Sequence, residues 1–316
     1  MTETHTQIRE RFAQANRVAV ISHVRPDGDA VGSVLGLGTA LLEAGKEVVF
    51  VLADGAGSTY KFLKHYSKIQ KSIPQPVDVT VVVDCSDLER IGGVLNGSTP
   101  DINIDHHKTN LNFAKVNLVK DSAATTQILA NHMESWGLTI SKDVAEALMT
   151  GLLTDTIGFR TSNVTAETMK ITAELMTHKI NMPDIYQRVL INRTFAGVAL
   201  WGCAIPRMTK EGNILYTKLT ARDRKKVHYP GKDDAELITV LSSVREANVT
   251  ILFIEQDSDH VKVSWRAKPG YDVSEIAMFF GGGGHAPAAG ATVLGALDDV
   301  VNRVLGETKK MIKEIE

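Results

Sequence analysis

Cysteine is almost absent from this chain, with Cys85 and Cys203 the two examples in 316 residues. Thiols so far apart imply neither a disulfide framework nor a cysteine-ligated zinc site, and they suit a reducing, cytoplasmic setting. Long apolar runs are missing too. The stretch 30–42 is too short and too glycine-rich to cross a bilayer, and the opening MTETHTQIRERFAQANR is charged and amphipathic, unlike a secretory signal or an anchor. Nor is there an excess of positive charge. A formal net charge of -2 argues against long duplex DNA, whose binding needs a strongly basic face, and leaves mononucleotides and short strands open. No G-x-G-x-x-G follows the first apolar run, so a dinucleotide-binding dehydrogenase has no support.

What remains is an ordinary globular composition, 43% hydrophobic and 23% charged, in a chain long enough for two cores. Apolar runs at 17–23, 46–52, 77–84 and 101–105 alternate with helical patterns at 30–43, 123–136, 142–153 and 166–178, the last opened by the cap-like Thr165. Continuous apolar strands between helices predict a mostly parallel, doubly wound α/β sheet. Past about residue 192 the pattern changes. Strand-like segments at 214–219, 249–255 and 260–266, a helical segment at 235–245 and a final helix at 300–313 predict a smaller C-terminal α/β domain. The expected division is 1–190, a linker at 191–204, and 205–316.

The string Asp105-His106-His107 ends one of those apolar runs, and three other segments repeat the association: Ser22-His23-Val24-Arg25-Pro26-Asp27-Gly28-Asp29, Val83-Asp84, and Leu153-Thr154-Asp155. In open α/β sheets ligands collect beyond the carboxyl ends of the strands. A carboxylate after an apolar run, such as Asp84, is costly to bury unless paired or metal-bound. Asp27 and Asp29 by themselves read as a turn, and Asp155 as a helix cap. Together, His23, Asp27, Asp29, Asp84, His106 and Asp155 make six candidate ligands for two divalent cations. A cation pair lowers the pKa of a bridging water and offsets charge on a phosphoryl group. The mixture of imidazole and carboxylate suits manganese first, with magnesium or cobalt as alternatives.

These strings, SHVRPDGDAVGS, VVVDCSD, NIDHHKTN and GLLTDTIGFRTSN, stand in an order that resembles the DHH phosphoesterase superfamily. The resemblance implies that His23, Asp27 and Asp84 hold one ion and Asp29, Asp84, His106 and Asp155 the other, with Asp84 bridging. It implies that His107 faces the scissile phosphate and assists catalysis, and that Asp105 supports an imidazole from behind. Arg160, shortly after Asp155, is raised by the same motif to a candidate for substrate contact.

Near the C-terminus, Gly281 to Gly284 precede His285 and a run of small residues. Glycines there let backbone N–H groups approach an anion, and the small residues suggest a helix start. With VKVSWRAKPGYDVSEIAMFF before it, this segment is similar to the DHH-associated C-terminal domain. That likeness implies substrate binding by Arg266, Gly282, Gly283, Gly284 and His285, and an active site in the cleft between the two domains. Ala267 departs from the commoner serine.

The expectation is therefore a two-metal phosphoesterase resembling the stand-alone oligoribonuclease and 3′-phosphoadenosine-5′-phosphate phosphatase group. Its partners would be short oligonucleotides or nucleoside bisphosphates, with neither long duplex DNA nor a membrane; a homodimer is implied by the resemblance alone. The alternatives are a cyclic- or linear-dinucleotide phosphodiesterase of the same family, and a nucleotide-binding sensor without turnover.

Overall fold

The structure is a computed structural model that describes residues 3–313, and it divides into two compact units between Asn192 and Arg193. The first opens with α1 (Glu3–Gln14), β1 (Arg17–Ile21), α2 (Gly28–Glu43), β2 (Glu47–Val51), β3 (Ile69–Gln70), β4 (Val79–Val83), β5 (Ile102–Asp105) and β6 (Val116–Val119). α3 (Thr125–His132), α4 (Lys142–Asp155), α5 (Ala166–Thr177) and α6 (Met182–Tyr186) follow. The strands form one parallel sheet in the order β3-β2-β1-β4-β5-β6.

β-branched residues alternate between the sheet's two faces. Val18 and Val20 enter the large core under the helices, while Ala19 and Ile21 pack into a smaller one with Val82, Ile91 and Leu95. The second face is covered by loops and the short 3-10 turn Leu88–Ile91. Chain order reverses between β1 and β4, so the crevice beyond those strand ends is the topological switch point.

Helix packing sets the walls of that crevice. α2 is buried along almost its whole length, and a stripe of Gly28, Gly32 and Gly36 meets Thr154, Ala147 and Leu148 of α4 in turn, which makes the two helices antiparallel. A Cβ on Gly32 would stand 2.5 Å from the Ala147 carbonyl oxygen. Glycine there lets the start of α2 approach the end of α4, and those ends carry Asp29 and Asp155.

The second unit comprises α7 (Phe195–Ala204), β7 (Thr209–Glu211), β8 (Ile214–Leu219), α8 (Ala221–Lys226), α9 (Leu237–Leu241), β9 (Val249–Glu255), β10 (His260–Ala267), α10 (Ser274–Phe279), β11 (Gly283–His285), β12 (Ala288–Leu294) and α11 (Leu297–Lys313). Its six strands run β11-β12-β10-β9-β8-β7, antiparallel except for the pair β8 and β9. A separate core lies on each face. Trp265 is fully buried in one of them, stacked near Phe280, and is a packing residue.

Three expectations change here. The segment 191–204, read as a linker, holds α7, whose Leu200 and Ala204 are buried in a core of the second unit. The helix expected at 235–245 is confined to Leu237–Leu241, because Ala235 and Glu236 take left-handed backbone angles and the chain turns at Ser242–Ser243. The glycine run opens no helix. It forms β11 of a hairpin with β12, where a Cβ on Gly282 would lie 2.1 Å from the Gly290 carbonyl oxygen and Gly284 has φ +147°. No single helix among the described residues is long and apolar enough to cross a membrane.

Candidate metal centre

The strand ends around the switch point deliver the first groups. His23 lies two residues past β1, Asp84 directly follows β4 with a left-handed φ of 53°, and Asp105 is the last residue of β5 with His106 and His107 after it. Asp27 caps α2, its Oδ1 accepting from the backbone N–H groups of Asp29 (3.1 Å) and Ala30 (3.0 Å). Asp155 ends α4 rather than starting a helix.

The donor atoms converge. Asp84, with a side chain 2% exposed, turns Oδ2 toward His23 Nε2 at 3.6 Å and Oδ1 toward His106 Nε2 at 3.6 Å. His23 Nε2 also lies 3.9 Å from Asp27 Oδ1, and His106 Nε2 lies 3.5 Å from Asp155 Oδ2. Three sets, His23 with Asp27 and Asp84, Asp29 with His106 and Asp155, and Asp84 with His106 and His107, each bring donor atoms within 4.8 Å of one another. Both ligand-like imidazoles have their other nitrogen engaged by a backbone carbonyl. His23 Nδ1 is 2.8 Å from Val24 O and His106 Nδ1 is 3.2 Å from Ser122 O. A carbonyl can only accept, so each Nε2 is left with its lone pair free.

His107 differs. Its Nδ1 lies 2.7 Å from Asp105 Oδ1, and this hydrogen bond raises its pKa against the opposing effect of burial. Asp105 is fully buried and also accepts from the His106 backbone N–H (2.9 Å) and from Asn110 Nδ2 (2.6 Å). Asn110 in turn contacts Asn103 Oδ1 and the Cys85 carbonyl.

The charge balance fits cations. Burial first, then the neighbouring Asp84 and Asp155, pushes Asp29 well above the usual carboxylate range. Burial also lifts Asp155 to about 6 against the pull of His106. Among the described residues no lysine or arginine forms an ion pair with Asp27, Asp29, Asp84 or Asp155; the ion-pair contacts of Asp27, Asp84 and Asp155 are histidines. Several carboxylates gathered around imidazole nitrogens, with no lysine or arginine ion pair among the described residues, are a donor set for divalent ions.

Residues that the sequence did not single out complete the site. The start of α3 grips Asp29: Thr125 N donates to Oδ2 (2.6 Å), while Thr126 N (3.0 Å) and Oγ1 (2.7 Å) donate to Oδ1. Thr125 Oγ1 reaches Asp84 Oδ1 at 3.1 Å. The string Ala-Ala-Thr-Thr reads as a helix start in sequence, and nothing in it announces a partner 96 residues away. Arg160 is exposed in the loop after α4 and joins none of these clusters.

In the second unit, Arg266 pairs with Ala288 across β10 and β12, and Ala288 pairs with His285 across β12 and β11. Directly opposed residues point to the same face of a sheet, so Arg266 and His285 flank Ala288 on one face. Burial lowers the Arg266 pKa, and its guanidinium donates to the Trp265 carbonyl at 2.9 Å. Gly283, Gly284 and His285 are exposed and Gly282 half-buried.

Comparison with known proteins agrees along the chain. Residues 17–152 match the N-terminal domain of the DHH family, and residues 211–314 match the DHHA1 domain. A bifunctional oligoribonuclease and PAP phosphatase of Thermus thermophilus is 34% identical over 295 residues, covering 91% of this chain and 88% of the relative. A manganese-dependent inorganic pyrophosphatase of Methanothrix thermoacetophila is 28% identical over 48% of this chain and 51% of its own length. Among solved structures, an exopolyphosphatase-related protein from Bacteroides fragilis matches with a TM-score of 0.88 and 25% identity, covering 99% of this chain and all of that one.

Proposed function

Since this chain belongs to the DHH family of metal-dependent phosphoesterases, we propose that its substrates are short oligoribonucleotides and 3′-phosphoadenosine 5′-phosphate. The observation that carries the proposal is the cluster at the switch point, where Asp27, Asp29, Asp84 and Asp155 gather around imidazole nitrogens and, among the described residues, no lysine or arginine forms an ion pair with them. The substrate class is supported by the Thermus relative, whose name states both activities.

In this reading His23, Asp27 and Asp84 hold one divalent cation and Asp29, Asp84, His106 and Asp155 the other, with manganese favoured by the imidazole donors. Bound there, the cations supply an activated water and neutralise charge growing on the phosphoryl oxygens. Asp84 serves both positions because its two oxygens face different histidines. The α3 N-terminus holds Asp29 in its rotamer. Asp105 accepts a hydrogen bond from His107 Nδ1–H, which fixes the ring and favours the imidazolium, whose Nε2–H would give its proton to the leaving oxygen and be restored from water. Arg266 and His285 are the groups on the C-terminal sheet suited to a terminal phosphate, beside Gly282, Gly283 and Gly284. A cytoplasmic setting belongs to the same proposal.

The test is hydrolysis of adenosine 3′,5′-bisphosphate, di- to pentaribonucleotides and cyclic di-AMP, with manganese restored after chelation. The bisphosphate and the short linear strands should turn over, and cyclic di-AMP should not. No turnover of any member by protein with manganese bound would refute the reading. Asp84→Asn should lower kcat at least about 10³-fold, by analogy with removing one member of a group that acts as a unit, while circular dichroism stays unchanged.

A further inference from the structure

Asn103 is a polar residue in an apolar place. It lies within β5, in register with Val82 of β4, and is fully buried. An amide is costly to bury unless its hydrogen bonds are made, and here they are. Nδ2 donates to the Val82 carbonyl (3.3 Å) and the Cys85 carbonyl (3.2 Å). Carbonyls only accept, so this end of the amide is the NH2 group and Oδ1 is the other end.

That polarity propagates through the neighbouring groups. Asn103 Oδ1 meets Asn110 Nδ2 at 2.8 Å, so Asn110 has to present an NH2 group, and its own Oδ1 accepts from the Asn112 N–H at 2.7 Å. The same Nδ2 lies 2.6 Å from Asp105 Oδ2 and 3.1 Å from the Cys85 carbonyl. Its two hydrogens serve the two shorter contacts. Asp105 thus accepts on Oδ2 from Asn110, and on Oδ1 from the His106 N–H at 2.9 Å. A carboxylate engaged as an acceptor on both oxygens requires a hydrogen on His107 Nδ1, 2.7 Å from Oδ1. The loop that carries Asn110 is itself tied down, by Asn110 N–H to the His107 carbonyl (3.1 Å) and Leu111 N–H to the Ser86 carbonyl (3.0 Å).

We propose that Asn110 is a positioning residue for the reaction: by holding Asp105 as an acceptor, it fixes the His107 ring so that Nε2 is the nitrogen that serves the leaving oxygen. Asn103 sets the direction of Asn110 in turn. The inference rests on the reading above in which His107 gives its proton to the leaving oxygen. It adds the two amides through which backbone carbonyls at the end of β4 determine which imidazole nitrogen does so.

Proton donation matters most for a strongly basic leaving group. The experiment compares two phosphodiesters at saturating manganese: a diribonucleotide, whose ribose alkoxide needs a proton to leave, and bis(p-nitrophenyl) phosphate, whose p-nitrophenolate is a weak base. Asn110→Asp keeps the side chain's size and replaces the donor with an oxygen facing two acceptors. Its kcat on the diribonucleotide should fall about 10- to 100-fold, as for other groups that hold an imidazole from behind, with KM little changed. The loss on the aryl ester should stay within about threefold. His107→Ala should show the same split between the esters, and the double variant should lose no more than His107→Ala alone, because the two residues act through one proton transfer. Asn110→Ala gives the same readout if the aspartate variant is insoluble. Equal losses on both esters, or losses that multiply in the double variant, would mean that Asn110 only supports the fold; the proposal would fall and the role of His107 would stand. A His107→Ala variant with no split between the esters would overturn that role and this proposal with it.

Discussion

Two carboxylates show opposite solutions to burial. Asp223 in the second unit is 4% exposed and meets Arg207 through two hydrogen bonds of 2.5 and 2.9 Å, whereas Asp29 and Asp84 in the first unit have no arginine or lysine ion pair among the described residues. Burial raises the Asp223 pKa, but the Arg207 guanidinium and the Thr220 N–H and hydroxyl outweigh it and bring the group to about 2. A depressed pKa stabilises the fold above the ordinary carboxylate value and ceases to as pH falls through the folded value. Asp223→Asn should therefore cost on the order of 1–2 kcal/mol at pH 7, and the deficit should close between about pH 4 and pH 2. Denaturant unfolding at several pH values measures it. A deficit that stays constant from pH 7 to pH 2.5 would remove the ion pair as its cause. The site carboxylates were legible in the sequence for the complementary reason: Asp84 after an apolar run has no cheap structural explanation. Asn103, Asn110, Thr125 and Thr126 were not, since amides and hydroxyls occur everywhere and their partners are set by the fold.

At the scale of elements, what the sequence hid was close approach. The parallel strands β1, β2, β4 and β5 follow from their apolar runs, but β3 is two residues long and β6 four, too short to stand out from neighbouring loops. The hairpin of β11 and β12 was obscured because glycine and alanine carry little strand preference; the backbone clearance at Gly282 explains their presence. The same reasoning makes the packing of α2 on α4 testable. Gly32→Ala places a methyl group 2.5 Å from a backbone oxygen that cannot rotate away, so the helices must part. The cost should be about 1–3 kcal/mol, and manganese affinity should fall because α2 carries Asp29 and α4 ends at Asp155. Gly202 of α7 has nothing within 4 Å of its Cβ position. There the alanine variant should be neutral or stabilising by up to about 1 kcal/mol. Manganese titration by calorimetry, with thermal melting of both variants, checks the pair. Equal effects at the two positions would show that the helix contact does not set the site.

Across the whole chain, the ligand candidates come from segments around residues 23–29, 84, 105–107 and 155, carried by strand ends and two helices of one unit. Without cations, burial first and then the neighbouring carboxylates raise the pKa of Asp29 and Asp155, while histidines pull that of Asp84 down, so the cluster carries charge that is costly to keep and that repels itself. Cations bound to the folded unit alone would turn that repulsion into a cross-link between distant parts of the chain. Stability then rises as RT ln(1 + [L]/Kd), about 2.7 kcal/mol at a hundredfold excess over Kd. Hydrogen exchange should therefore slow in α2, α3 and the C-terminal half of α4 when manganese is added to chelated protein, and EDTA should reverse the change. Asp84→Asn should blunt the protection in all three segments together if, as proposed, Asp84 serves both cation positions. Protection that appears in α2 but not in α4, with manganese saturating, would mean that Asp155 holds no cation and that the second position must be built from other groups.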